Sequence, residues 1–242
     1  MKKNKMMRAA SALLVAVLLT TCAVSGTFAK YTTADDGTDT ARVAKWGVTV
    51  TATGDNVFDN SYDDATNGAT AGTKVVSSVT TEDVLAPGTN GTLGGIAITG
   101  TPEVMVDVDV TATLTLAGWT IDHDNDPATP NEEYCPIVFT IDGETYGTGD
   151  GVVTPTHTSA NIDALQTAIK NAIESKFSSL TADNVGANEA LDSSVSVSWA
   201  WDFNTAGTGD YDKYDTALGD LAAAGTAPTI AFECEATVTQ VD

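Results

Sequence analysis

Basic side chains are scarce in this sequence. Its 242 residues contain 11 lysines and arginines against 33 aspartates and glutamates, which gives a formal net charge of −22. Such a surface repels nucleic acids and anionic membranes, because both are polyanions, and it attracts cations and basic partners. Nucleic-acid binding is therefore excluded from the functions considered for this chain.

Residue types that carry catalysis are also few. The two histidines, His123 and His157, have no His or Cys partner at the spacing of metal ligands. The sequence has no HExxH zinc pattern, no GxSxG nucleophile turn and no Gly-rich phosphate loop followed by Lys. The sequence therefore predicts that the protein is not an enzyme and needs no cofactor.

Cysteine occurs three times, at Cys22, Cys135 and Cys234. The last two can form one disulfide bond in an oxidising compartment, or remain as two buried thiols that behave as small apolar side chains. The sequence leaves both arrangements open, because it gives no distance between the two residues.

The first 29 residues have the pattern of a secretory signal peptide. Four basic residues precede an apolar run over residues 9–24, and the small Ala29 suits cleavage by signal peptidase before Lys30. One alternative is an uncleaved anchor, for which the run is short. Another is a lipoprotein modified at Cys22, although Leu-Thr-Thr before it lacks the usual small residue. Cleavage leaves 7 basic against 33 acidic residues, a charge of −26.

Alternation of apolar and polar residues dominates the rest of the chain. In residues 104–116 the even positions from Val104 to Leu116 are apolar, and the odd positions from Asp107 to Thr115 are polar. A strand places such apolar side chains on one face, whereas a helix scatters them. The same pattern predicts strands at 46–52, with Trp46 and Val50 facing inward, and at 194–201, 230–239, 74–79, 93–99 and 137–141.

One segment has the helical period instead. Apolar residues at steps of three and four predict an amphipathic helix over residues 161–177, and a short helical turn is predicted over 215–224. Together with seven or more strands, this indicates a mainly β fold, a jelly-roll-like antiparallel β-sandwich. The predicted organisation is a signal peptide at 1–29, an N-terminal arm at 30–44 and a single β-sandwich domain at 45–242.

An acidic loop is the one candidate metal site. In DHDNDPATPNEE, positions 1, 3, 5 and 12 of an EF-hand-like calcium loop are occupied by Asp122, Asp124, Asp126 and Glu133. Position 6 is Pro127, which cannot adopt the left-handed turn that Gly provides there. The two interpretations are bound calcium and a solvated acidic hairpin loop. Asp210, Asp212 and Asp215 form a second, weaker acidic group.

Several short motifs together carry a family resemblance. SGTFAKYT at the signal junction, ARVAKWGVTVTA, LAPGTNGTLGGIAITGTPEVMVDVDVTATL and the terminal PTIAFECEATVTQVD occur in this order. The chain thereby resembles the TasA and camelysin family of secreted matrix fibre proteins, most closely in its two flanks. The central part, including WAWDFNTAG, contributes little to the resemblance.

The resemblance implies a fibre subunit that polymerises by donor-strand exchange. The mature N-terminus, with Lys30, Tyr31, Ala41 and Val43 in its arm, would add a strand to the next subunit. The implied partners are further copies of the chain, joined head to tail, signal peptidase during export, and other components of the extracellular matrix or cell surface. The arm is alternatively an intramolecular first strand or a loose terminus.

Three function classes follow from these observations. The first is a secreted structural subunit of a matrix or surface filament. The second is a monomeric surface adhesin or calcium-dependent binding module. The third, a camelysin-like metallopeptidase, conflicts with the absence of a His pair that could hold zinc.

Overall fold

The computed structural model describes residues 42–53, 58–63, 69–70, 72–122, 132–181, 185–203 and 211–241. Ala44–Asp242 forms one compact unit. Its strands are β1 Val48–Thr53, β2 Ser61–Asp63, β3 Lys74–Val76, β4 Thr89–Gly100, β5 Val106–Ala117, β6 Thr120–Ile121, β7 Glu132–Glu133, β8 Val138–Ile141, β9 Glu144–Gly147, β10 His157–Thr158, β11 Leu191–Trp201 and β12 Thr229–Gln240. Its helices are α1 Ile162–Ser175 and α2 Tyr211–Ala223.

The larger layer is a six-stranded sheet in the order β1-β4-β11-β8-β9-β10. All its pairs are antiparallel except β9 with β10. In β11 the residues Val195, Val197, Trp199 and Trp201 are buried, while the serines between them are exposed or half-buried. The sheet therefore has one apolar face toward the core and one polar outer face, as its alternating sequence requires.

The second layer consists of the β5–β12 ribbon and helix α1. The even-numbered residues of β5 from Val106 to Leu116 are buried, and its odd-numbered residues are mostly exposed. Helix α1 lies against β5, β8 and β9, and β12 approaches β4 of the larger sheet. The layer thus covers the larger sheet from β9 across to β4, and the two layers form a sandwich.

Helix α1 closes one edge of β5 with side chains. The backbone N–H of Ala112 donates to Glu174 Oε1 at 3.1 Å, and that of Leu116 donates to Gln166 Oε1 at 2.8 Å. The N–H of Val108 donates to the carbonyl of Leu180 at 2.9 Å, just beyond the helix. These acceptors occupy places that a neighbouring strand would fill, so this edge is protected from pairing.

A turn between β8 and β9 joins the larger sheet to the end of α1. Asp142 and Gly143 both have positive φ angles, 48° and 90°, as the central pair of a two-residue hairpin turn requires. The Asp142 carboxylate accepts a hydrogen bond from the Ser196 N–H at 2.8 Å and forms an ion pair with Lys176 at 2.9 Å. Burial tends to raise the pKa of Asp142, but the bonds from Ser196 and Lys176 lower it overall.

The mainly β prediction and the antiparallel sandwich are confirmed, as is the amphipathic helix, which begins at Ile162 and is capped by the Asn161 side chain. The predicted short turn over 215–224 is a 13-residue helix, α2. None of the helices in the described residues combines the length and the apolar character needed to cross a bilayer.

Strand β1 differs from its prediction in one respect. Trp46 lies just before the strand and is 43% exposed, and Val50 within it is 42% exposed, although the alternation places both among the inward-facing residues. The reason is topological, because β1 is an edge strand of the larger sheet.

Candidate functional site

Strand β12 presents an open edge. In an antiparallel ladder, backbone groups of successive residues point alternately to the two sides of a strand. The backbone N–H groups of the even residues Val108, Ala112 and Leu116 of β5 donate toward α1 and Leu180. The backbone N–H and C=O groups of the odd residues of β5 therefore point to β12. Odd residues of β5 lie opposite odd residues of β12, such as Thr113 opposite Glu233. The even residues of β12 therefore point their N–H and C=O groups away from β5, and β5 is the only strand paired with β12 in the described part of the chain.

The side chains of β12 are incompletely covered. Its inward row is half-buried, whereas the matching row of β5 is buried. That row consists of Ile230, Phe232, Cys234, Ala236 and Val238. Such a half-buried apolar row beside a free edge leaves room for one more strand in this layer.

The inner face of β1 lies on the same side of the molecule as the open edge of β12. Val50 is directly opposite Ile98 of β4, so both side chains point to the same face of the sheet. Ile98 is 0% exposed, yet Val50 is 42% exposed. The cover therefore ends between β4 and β1, which is where β12 ends the second layer. We call this strip, bounded by the open edge of β12 and by Val48 and Val50, the edge groove.

A cavity lies at the beginning of β12. It has a volume of about 420 Å³ and is formed by the segment before β4, the end of β11, helix α2 and the first residues of β12. The Gly88 N–H donates to the Trp201 carbonyl at 2.7 Å and fixes the segment before β4 beside β11. We call this space the end cavity; its lining includes Phe58, Leu85, Trp119, Trp201, Leu218 and Ile230, together with the carboxylates of Asp83 and Asp215.

The carboxylate of Asp215 is the polar centre of the end cavity. The Tyr134 hydroxyl donates to its Oδ1 at 2.8 Å. Burial raises the pKa of Asp215, the hydrogen bond from Tyr134 and the nearby Trp201 indole partly oppose this rise, and Asp212 adds to it. Burial and the negative charge of Asp215 raise the pKa of Tyr134 as well, so its hydroxyl stays a donor.

The indole N–H of Trp201 is unsatisfied. Although Trp201 is close enough to Asp215 to affect the pKa of that carboxyl, the N–H does not reach an acceptor with hydrogen-bond geometry. Among the described residues, Nε1 of Trp201 is the buried side-chain polar atom without a hydrogen bond.

Asp215→Asn is expected to raise the free energy of unfolding at neutral pH. The pKa of Asp215 is raised in the folded state, so its ionised form destabilises the fold above that pKa, and the penalty is absent below the unfolded-state pKa. Asn keeps an oxygen that can accept from Tyr134. Urea unfolding from pH 4 to pH 8 should show the gain at high pH and its loss as pH falls. Asp220→Asn, at an exposed position of α2, is the matched surface control. A pH-independent difference would contradict the assignment.

The predicted N-terminal site residues fall mostly outside the described part of the chain. Ala29, Lys30, Tyr31 and Ala41 lie outside it, while Val43 is described and is 92% exposed. The cleavage site and the arm therefore remain predictions.

The predicted calcium ligands are only partly described. Asp124 and Asp126 lie outside the described residues, and Asp122 and Glu133 flank that gap. Strands β6 and β7 pair on either side of it, as a hairpin requires. Oε2 of Glu133 accepts a hydrogen bond from the Ile162 N–H at 3.0 Å, so this carboxylate supports the start of α1. The described residues contain no cluster of three or more potential metal ligands, and calcium binding remains a prediction.

Cys135 and Cys234 are both free thiols in the structure. Burial raises the pKa of Cys135 to about 12. Cys234 is half-buried in β12, and burial together with the charge of Glu174 raises its pKa to about 11. Neither thiol has the lowered pKa of a reactive cysteine.

The end cavity was not predicted from the sequence. Its lining brings together Trp201 of β11 and Asp215 of α2, and Asp215 accepts a hydrogen bond from Tyr134, which follows β7 and stands far from both in the sequence. The one available signal was Asp215 in the acidic group TGDYDKYD, which was considered there as a weak calcium candidate. No family model matches the chain, and no curated protein or solved structure is significantly similar to it.

Proposed function

We propose that this protein is a secreted structural subunit of an extracellular matrix or cell-surface filament. In this proposal, copies join head to tail when residues 30–44 of one copy lie as an added strand in the edge groove of the next. The observation that carries the proposal is the open edge of β12 beside Val50, an inward-facing apolar side chain that is 42% exposed. A strand supplied by another copy pairs the edge and covers both apolar rows.

The dimensions of arm and groove are compatible. Strand β12 has 12 residues and is therefore about 40 Å long, since a strand rises about 3.4 Å per residue. Residues 30–44 number 15, enough to extend along the full strand and to connect to the compact unit at Ala44. The arm can therefore pair with the whole open edge.

Charge also favours this segment as the joining element. Residues 30–44 contain two basic and three acidic side chains, whereas the chain from residue 30 onward carries a charge of −26. Two such acidic bodies repel each other, and a nearly neutral arm is the part that approaches a second copy at the smallest electrostatic cost. The predicted signal peptide and the resemblance to secreted matrix fibre proteins support the same proposal.

Val50→Asp tests the edge groove. Assembly would bury the new carboxylate without a partner, so we expect the concentration needed for filaments, measured by sedimentation and negative-stain electron microscopy, to rise at least tenfold, which corresponds to about 1.4 kcal/mol. Thr51→Asp is the matched control, because Thr51 is also exposed on β1 but points to the opposite face. Equal effects of the two substitutions would contradict a role for the inner face, and monomers at every concentration of the unmodified chain would favour the adhesin alternative.

A further inference from the structure

The end cavity lies in line with the edge groove. Pro228, just before β12, and Thr229 and Ile230, its first residues, belong to its lining. At the other end of β12 the Val241 N–H donates to the Met105 carbonyl at 3.0 Å, which continues the pairing with β5. A strand that follows the open edge of β12 toward Thr229 therefore reaches the end cavity with one of its ends.

The chemistry of the end cavity suits a phenol group. Its walls are largely apolar or aromatic, including Phe58 and Leu218, and its volume of about 420 Å³ lies in the range of ligand pockets. A phenol hydroxyl can donate to the carboxylate of Asp215, which belongs to the lining, while its ring packs against the apolar wall. An aliphatic side chain could not make this hydrogen bond.

The rim of the end cavity suits a cation. Asp83 is an exposed residue at its lining and adds a second carboxylate to Asp215. Two carboxylates near one opening favour a positively charged group, above all in a chain with so few basic residues. A ligand with a phenol ring next to positive charge thus fits both the wall and the rim.

The arm of the chain carries this combination at its beginning. Within residues 30–44, Tyr31 is the single aromatic residue, and Lys30 precedes it. Cleavage after Ala29 would leave an α-ammonium group on Lys30, so two positive charges would stand beside the phenol. No other part of the arm joins a ring to a cation.

We infer that the end cavity binds the Lys30–Tyr31 terminus of a neighbouring copy, with the Tyr31 ring inside the cavity and the positive charges of Lys30 at Asp83. This inference rests on the proposed function. It also sets the direction of the added strand. With Tyr31 at the beginning of β12, the arm runs parallel to β12, and Ala41 lies near its end.

The inference predicts a specific coupling between Tyr31 and Asp215. In the chain from Lys30 to Asp242, Tyr31→Ala is expected to raise the critical concentration for assembly at least tenfold, because a buried ring is lost. Tyr31→Phe should raise the critical concentration about fivefold, which corresponds to the loss of one hydrogen bond. In an Asp215→Asn background the additional effect of Tyr31→Phe should shrink, since the two changes act on the same contact. Thr33→Ala is the matched control and should stay within about twofold of the unmodified chain.

Cross-linking between two different copies locates the contact. Two variants are made, and both carry Cys234→Ser. The first has Thr32→Cys beside Tyr31, and the second has Ala222→Cys at the exposed mouth of the end cavity. Cys135 is buried, with its pKa raised to about 12, and serves as an unreactive internal thiol. When the two variants are mixed under mild oxidation, a disulfide-linked dimer of the two should form. In the control, the Ala222→Cys variant is mixed with a chain that lacks residues 30–41, and no such dimer should form.

The outcomes separate this inference from the proposed function. Normal assembly of Tyr31→Ala, together with loss of assembly on deleting residues 30–41, would overturn the cavity assignment and leave the filament proposal standing. Assembly without residues 30–41 would overturn both. Full additivity of Tyr31→Phe and Asp215→Asn, or no cross-link in filaments formed from the mixture, would place Tyr31 elsewhere, leaving solvent or the chain's own arm in the cavity. A chain that begins at Thr27 should assemble less readily, because its α-ammonium group is displaced from the rim.

Discussion

Deletion of residues 30–41 from the chain that begins at Lys30 is expected to abolish filament formation. The edge groove would then have no strand to receive, because the segment proposed to fill it is gone. The compact unit begins at Ala44, so its two layers and core should be unaffected by the deletion. Negative-stain imaging and sedimentation of matched concentrations measure the effect, and a thermal melt checks that the shortened chain is folded.

The thiol of Cys234 gives a second readout of the same deletion. Cys234 is half-buried in the inward row of β12, where an added strand would cover it. Its reaction with a maleimide should slow strongly when the full arm assembles, and should stay at the monomer rate when residues 30–41 are missing. Filaments of normal appearance from the shortened chain, with Cys234 protected, would refute the role of the arm.

Trp199→Ala is expected to have the largest effect on stability, a loss of about 3–5 kcal/mol, the usual cost of removing a large buried aromatic side chain. Trp199 is 2% exposed, and its ring lies 5.6 Å from that of Phe58 and 6.1 Å from that of Tyr62. It therefore ties the segment around β2 to the larger sheet. A Cβ at Gly91 would lie 2.8 Å from Nε1 of Trp199, so the strand beside it is shaped to this indole.

Urea unfolding of the monomer, followed by circular dichroism, measures this loss. Trp46→Ala is the matched control, because Trp46 is 43% exposed and its removal should cost little in the monomer. If the two substitutions destabilised the monomer equally, Trp199 would not have the central place in the core that its burial indicates.

The sequence predicted the strands and the helix well where one face of an element is fully covered. The alternation over residues 104–116 corresponds to β5, and the three- and four-residue steps over 161–177 correspond to α1, because burial on one side imposes the period of the element. Strands β2, β6, β7, β9 and β10 were not predicted. They have two to four residues, too few to establish a period.

The exposure of Val50 is a property that alternation does not predict, for a physical reason. Alternation identifies the face to which a side chain points, but it cannot tell whether another layer extends over that position. Val50 and Ile98 share a face, and only the position of β1 at the sheet edge separates their burial. A strand whose apolar and polar residues alternate as in a buried strand, but whose apolar face is uncovered, is typical of an interaction surface.

The end cavity illustrates a second limit. Asp215 was noted in the sequence only as one acidic residue among many, and 33 acidic residues give little basis for choosing among them. What distinguishes it is its contact with Tyr134 and its position near Trp201 in the lining of the end cavity, where α2 packs against β6. Such contacts between distant parts of a chain leave no periodic trace in the sequence.

The closure of β5 by Glu174 and Gln166 has a consequence for any polymer of this chain. Of the two edges of the β5–β12 ribbon, one is closed by these side chains, and the other pairs with no further strand among the residues that the structure describes. A filament would then end in an unfilled groove at one tip and in an unused arm at the other. A copy without an arm would add at the arm-bearing tip and stop growth there, while the groove-bearing tip continued to elongate. Small amounts of a copy without an arm would therefore stop filament growth at one tip only.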